Sequence, residues 1–281
     1  MFSLIRTDNN VHKATFKLPS FTSKQRCLII SDVHWDSAWC DRKVLTKHLD
    51  QAKASNSPIF MFGDFFDVMQ GKWDPRKSYD QLRPEHQGPN YLDLLVNTAS
   101  DYLMPYKEQL ALIGYGNHET AIIKRHEVDL IQRLVGILRK DGSKVVTGQY
   151  WGFVQFVLSC STHKDTKTLH YHHGYGGGGE VTRGLIDHSR TRGQYQADIY
   201  VSGHIHRRNM DENILLRCTT KGKIRSINQM FLRCSSYKHE DSGYHIEKGR
   251  AARPIGGWWL EFSMSRLDDN VTCANVVALP T

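Results

Sequence analysis

The sequence predicts an α/β fold built on two facing sheets, and three features carry that prediction. Short apolar runs at 27–30, 59–62 and 110–113 alternate with segments of helical periodicity, the pattern of a parallel sheet with crossovers. After Asp141-Gly142 the pattern changes to consecutive strand-like stretches separated by turns, which suggests a second sheet with antiparallel pairing. No internal repeat is visible, and 281 residues suffice for one large core, so a single domain over 1–281 is expected.

The first two dozen residues are polar and aperiodic and read as a leading loop or edge strand. Cys27-Leu28-Ile29-Ile30 is the first buried strand. A helix follows from about Arg42, with Val44, Leu45, His48, Leu49 and Ala52 on one face, and Asn56-Ser57-Pro58 ends it. The strand at 59–62 runs into Gly63-Asp64-Phe65-Phe66-Asp67. Residues 71–90 are turn-rich and basic, an inserted loop over the active face. A helix over 91–102 is stopped by Pro105, and the strand at 110–113 leads into Gly116-Asn117-His118-Glu119. One long helix is expected from about Glu119 to Arg139. Strands follow at 145–146, 153–158 and 168–172, then a glycine-rich stretch at 174–179, a helix over about 180–195 and a strand at 199–201. The tail adds strands at 214–216 and 230–232 and a closing β-hairpin over about 257–281.

The formal charge of +8 favours an anionic partner, although the cations are dispersed rather than gathered in a tail. No apolar run reaches membrane-spanning length and the start lacks a basic-then-apolar leader, so no membrane partner and a cytoplasmic location are expected. Six cysteines lie far apart without a C-x-x-C pair and read as reduced.

The informative residues stand at strand ends, where open α/β sheets carry their chemistry. They are Asp32-Val33-His34, Asp64 with Asp67, Asn117-His118, His172-His173-Gly174 and Gly203-His204-Ile205-His206. Two carboxylates at the mouth of a buried strand are costly without a compensating cation. An N/O donor set without thiolate suits manganese, iron, zinc, nickel or cobalt. His172 and His173 point to opposite faces of a strand, so only one can join such a site. His48, His126 and His188 sit on helices away from strand ends and read as structural.

In order, D-x-H, G-D-x-x-D, G-N-H-[DE], H and G-H-x-H, this set resembles the calcineurin-like metallophosphoesterases, with flanks most similar to phage and bacterial members. The resemblance spans Asp32 to His206 and implies a four-layer α-β-β-α sandwich. It implies that Asp32, His34 and His206 hold one divalent metal, that Asn117, His173 and His204 hold a second, and that Asp64 bridges them. Manganese or iron is the pair it favours. His173 is preferred to His172 because the family's histidine is usually followed by glycine; His172 is then a hydrogen-bonded supporting group. Asp67 would orient a ligand histidine. His118 would not be a ligand but would sit over the substrate as general acid or charge stabiliser.

The implied reaction is hydrolysis of a phosphate ester by a metal-bound hydroxide. The basic charge tilts the substrate toward a phosphodiester, meaning DNA, RNA or a nucleotide. A phosphomonoesterase or pyrophosphohydrolase on a small metabolite is the alternative, and a non-catalytic scaffold the remote one. Arg76, Arg183 and Arg253 are candidate phosphate contacts, and Tyr244 a residue that stacks on a base or packs under a loop. Lys124, Arg125 and Arg207 also lie near the predicted site loops.

Overall fold

The computed structural model describes residues 2–69, 81–177, 179, 181–241, 244–247, 249–268 and 271–281, with the side chains of 244, 245, 267, 268 and 271 outside the description. Among the described residues thirteen strands form two mixed sheets. In the six-stranded sheet, β3 (Lys24–Ile30), β4 (Ile59–Met61), β5 (Leu110–Ile113) and β6 (Val146–Thr147) run parallel. The hairpin of β12 (Trp258–Asp268) and β13 (Val271–Pro280) joins β3 antiparallel. The seven-stranded sheet has the order β1 (Phe2–Asp8), β2 (Val11–Leu18), β7 (Trp151–Cys160), β8 (His163–His172), β9 (Ile199–Ser202), β11 (Ile224–Arg233), β10 (Asn209–Cys218).

Strand alternation divides the core into layers. Cys27 and Ile29 of β3 meet Phe16, Phe60, Phe62, Phe156, Tyr171 and Phe262 between the sheets. Leu28 and Ile30 point the other way, onto α1 (Arg42–Ala54), α2 (Tyr91–Leu103) and α4 (Leu130–Lys140). On the outer face of the seven-stranded sheet, α5 (Leu185–Gln194) packs His188 against Phe231 of β11. The result is the expected two-sheet α/β sandwich.

The structure departs from the expectations at four points. The leading segment, expected as a loop or edge strand, is a β-hairpin: β1 is the edge strand, and the alternation of β2 buries His12, Ala14, Phe16 and Leu18 beside it. The long helix is two, α3 (Asn117–His126) and α4, because Glu127 takes a left-handed φ of 56° and Asp129 caps the new start by accepting from Gln132 N. Val146 pairs with Leu112 in the six-stranded sheet rather than opening the second one. Helix α5 begins at Leu185, later than expected.

The fold carries an acid liability away from any candidate site. His12, His48, His86 and His188 have pKa values lowered to about 4, and His170 to about 3, chiefly by burial. A histidine kept neutral when folded but free to protonate near 6.5 when unfolded supports the fold fully above that pH. The support fades as pH falls toward 4, by up to about 1.4 kcal/mol per pH unit and group. The denaturant midpoint is therefore expected to drop steeply between pH 6.5 and 5; a midpoint constant over that range would refute it.

Candidate metal centre

Strand register brings the candidate residues to one rim. Ile30 pairs with Met61 and Met61 with Ile113, so the loops carrying Asp32, Asp64 and Asn117 leave side by side. In the other sheet His172 pairs with Ser202, which sets His173 beside His204. Within the six-stranded sheet Asp32 N donates to Gly63 O at 3.0 Å, and across the rim between the sheets His204 N donates to Asp32 Oδ1 at 3.0 Å.

The backbone is bent hard to make this meeting. Asp32, His34, Asp64, His204 and His206 all have left-handed φ, between 49° and 68°. Such a conformation is uncommon outside glycine and costs energy that the surrounding structure must offset, and here it falls on residues with metal-binding side chains. Two glycines make room. A Cβ at Gly116 would lie 2.0 Å from Asp64 Oδ1, and one at Gly203 would lie 2.2 Å from Asp32 Oδ2.

His34, His206, His173 and His204 each present one ring nitrogen to the cluster and have the other held. His34 Nδ1 meets Asp67 Oδ1 at 2.7 Å, leaving Nε2 3.0 Å from His206 Nε2. His206 Nδ1 pairs with Glu240, leaving Nε2 3.3 Å from Asp32 Oδ1. His173 Nδ1 donates to Phe62 O at 3.0 Å, and its Nε2 lies 3.0 Å from Asp64 Oδ2 and 3.2 Å from Asn117 Oδ1. His204 Nε2 donates to Gly176 O at 2.9 Å, and its Nδ1 lies 2.7 Å from Asn117 Oδ1. Holding the distal nitrogen is how proteins orient imidazole ligands. Donors about 2.1 Å from a common cation at angles of 90–110° stand about 3.0–3.4 Å apart, close to the separations found here. Two groups, Asp32–His34–His206 and Asp64–His173–His204, can each hold an ion. The donor set thus fits divalent cations.

Charge agrees with the distances. Asp32 and Asp64 are buried, yet their carboxyls are held below the usual range. Burial opposes this; His206 outweighs it for Asp32, and His173 and His118 for Asp64. Burial likewise disfavours protonated His173, but Asp64 raises its pKa to about 10; hydrogen bonds to Asp32 and Glu240 raise His206 to about 9.

His118 is held apart from this ring. Its Nδ1 bonds to the Asp67 carbonyl and its Nε2 faces Asp64 Oδ2 at 3.7 Å. Burial lowers its pKa, but Asp64 and Asp67 together raise it above the ordinary value. His34, Asp67 and His118 also form a group that can hold an ion, which leaves His118 within reach of the cluster.

Of the adjacent pair, it is His173 that enters the cluster. His172 turns away, accepts from Gly174 N at 3.0 Å and packs on Tyr150 and Tyr175. Asp67 lies beside His34 as described and also receives Lys238 Nζ at 3.4 Å. Arg253, a candidate phosphate contact, pairs with Glu240 Oε2 at 2.9 Å and donates to Ile205 O at 2.7 Å, bracing the carboxylate that holds His206. Arg183 has an exposed side chain, and its carbonyl accepts from the buried Arg233, so its backbone rather than its charge is engaged. Arg76 and the Tyr244 side chain lie outside the described residues.

Three acids escaped the sequence reading. Glu119 accepts from the backbone N–H of Asp64, Phe66 and Gly116 at 3.1, 2.9 and 2.8 Å. Asp36 accepts from Asp67 N and Val68 N and from the Tyr91 hydroxyl. Glu240 orients His206. Only Glu119 had a visible signal, its place directly after Asn117-His118.

No family model matches the chain, and no curated protein matches it. Solved structures similar to it include a conserved uncharacterized protein, a predicted phosphoesterase, from Streptococcus pneumoniae (12% identity, 91% of this chain and 99% of that one, TM-score 0.33). Vps29 from Chaetomium thermophilum follows (9%, 91% and 96%, TM-score 0.36), as does GAP50, the anchor in the inner membrane complex of Plasmodium (12%, 91% and 84%, TM-score 0.39). Likenesses this slight leave the assignment of function to the site itself.

Proposed function

We propose that the chain is a phosphoesterase of the calcineurin-like kind, using two divalent metals, manganese or iron first, and acting on a phosphodiester in nucleic acid or a nucleotide. The observation that supports it most is the ring of donor atoms from His34, His206, Asp32, Asp64, His173, Asn117 and His204, each histidine with its second nitrogen held. In this reading Asp32, His34 and His206 would hold one ion, Asn117, His173 and His204 the other, and the Asp64 carboxylate would serve both. Bound there, the ions would neutralise phosphate charge and acidify water near neutral pH.

The chain's own residues supply the rest. His118, its Nδ1 anchored, keeps Nε2 for the substrate and can give a proton to a departing oxygen. Asp67 holds the ring of His34 and so sets the angle of its Nε2. The net charge of +8 suits a polyanionic substrate.

The test is metal analysis and hydrolysis of an aryl phosphodiester and the matching monoester, with and without manganese. Metal-dependent diesterase activity is expected. Monoesterase activity alone would favour a small-metabolite enzyme, and bound metal without turnover a scaffold. Within that assay, His118→Ala is expected to slow a diester with a poor, alkyl leaving group by about 10²–10⁴-fold. A p-nitrophenyl diester, which departs without a proton, should slow far less. Equal loss on both substrates would remove His118 as proton donor.

A further inference from the structure

The seven-stranded sheet ends in an arm. From Ile214 to Asn228, every residue of the β10–β11 hairpin is exposed except Thr219 and Ile227, which are half-buried. No Asp or Glu occurs between Asn213 and Arg233, whereas Arg217, Lys221, Lys223 and Arg225 all lie on the exposed part. Arg217 and Arg225 stand directly opposite each other in the register. Like charges so placed weaken a hairpin, and an anion lying against them would relieve the repulsion.

Cations on an edge strand can serve merely to block pairing with other sheets. The rest of the arm does not fit that use. Ile214 (61% exposed), Leu216 (67%) and Ile224 (77%) share the opposite, uncharged face, so the ribbon is sticky where a blocked edge would be polar. The arginine face continues into a groove lined by Arg192, Tyr195, Leu215, Arg217 and Gln229, where the end of α5 meets the arm.

Direction connects this arm with the metal centre. β11 lies parallel to β9, with Arg233 opposite Ser202, two residues before His204. Ile224, at the other end of β11, is therefore about 30 Å away at 3.3 Å per residue. Helix α5 covers the interval: the Gly184 carbonyl accepts from Arg233 at one end, and Arg192 and Gln194 reach the groove at the other. Arg190 and Arg192 are exposed along it.

We infer that the β10–β11 ribbon is a docking arm for double-stranded nucleic acid, gripping the polymer about nine base pairs from the bond presented to the metal centre. A two-stranded ribbon fits the major groove of a duplex, and 30 Å is about nine steps of 3.4 Å. The inference rests on the phosphodiesterase reading for its second half, and the test separates the two.

The metal-reconstituted chain and the variant R217Q/K221Q/K223Q/R225Q are compared in three measurements. The first is binding of a labelled, hydrolysis-resistant duplex of about 30 base pairs over a range of salt. The variant should bind at least tenfold more weakly, with a slope of log K against log salt smaller by about 3–4, the value for four lost phosphate contacts. The second is hydrolysis: kcat/KM on the long duplex should fall at least tenfold in the variant. On duplexes shorter than about nine base pairs, which cannot reach both places, it should not change. The third is hydrolysis of a p-nitrophenyl phosphodiester, expected to be equal in both proteins.

Equal affinity and salt slope would overturn the inference while leaving the enzyme reading intact. Arm-dependent binding with no hydrolysis of any ester would keep the arm and sink the enzyme. Dimerisation abolished by Ile214→Ser with Leu216→Ser, with duplex binding unaffected by either variant, would assign the arm to a second copy of the chain and overturn nucleic-acid docking.

Discussion

Asp64→Ala is expected to cost at least about a thousandfold in kcat/KM on a phosphodiester and to lower bound metal from about two ions per chain to one or fewer. The carboxylate is buried, and its two oxygens are differently used: Oδ1 accepts from His118 N at 3.0 Å, and Oδ2 lies 3.0 Å from His173 Nε2. Alanine removes the negative charge facing His173 and the anchor for the His118 backbone together. Asp64→Asn keeps the shape and the acceptor for His118 N, so it should fold normally while still losing metal. Metal content by elemental analysis and kcat/KM on the same samples check this. An Asn variant with full metal and more than a tenth of the activity would refute the bridging position.

Glu119→Ala is the second large effect, and it should appear first in stability. Three buried backbone N–H groups, from Asp64, Phe66 and Gly116, converge on the Glu119 carboxylate. Burial and then the nearby Asp64 charge raise its pKa to about 7, so it shares this pocket at an electrostatic cost. Without it three amide donors lose their acceptor, at about 1–3 kcal/mol each where water does not replace it. A loss of about 3 kcal/mol or more is expected, seen as a fall of about 6–12 °C in Tm. Because Asp64 N is one of the donors, metal affinity should fall by about 10–100-fold as well. Glu119→Gln, which keeps one oxygen, should lie between. Unchanged Tm and metal affinity in Glu119→Ala would show that the loop holds its shape without this brace.

The contrast between these two acids shows what the sequence can reveal. Asp64 is legible because an apolar run, Ile59-Phe60-Met61-Phe62, delivers it to a sheet rim, and a strand end is a place with known consequences. Asp32, Asn117 and His204 are legible for the same reason. Glu240 is not, since it sits in a loop after β11 and reaches His206 only through the folding of distant segments. Asp36 looks like a surface acid following Trp35, yet it is buried and receives two backbone N–H groups and a tyrosine hydroxyl.

The fold was legible where periodicity was strong and obscure where it was weak. Helix α1 buries Leu45, His48, Leu49 and Ala52 as its spacing predicts. In the first hairpin the edge strand was an open alternative, while β2 was obscured because a histidine, His12, holds one of its core positions and only Ala14, Phe16 and Leu18 carry the alternation. The break between α3 and α4 was missed because Ile123, Leu130 and Leu134 continue a helical spacing across it, while the turn depends on one left-handed residue, Glu127. Arg253 was a candidate through its charge and its place near the site loops, neither of which reveals its pairing with Glu240.

The proposal as a whole rests on two ions lying on either side of Asp64. Anomalous diffraction from crystals of manganese-reconstituted protein tests it most directly. It predicts two peaks, one against Asp32, His34 and His206 and one against Asn117, His173 and His204, both in contact with Asp64. A single peak, or none within reach of the Asp64 carboxylate, would contradict it.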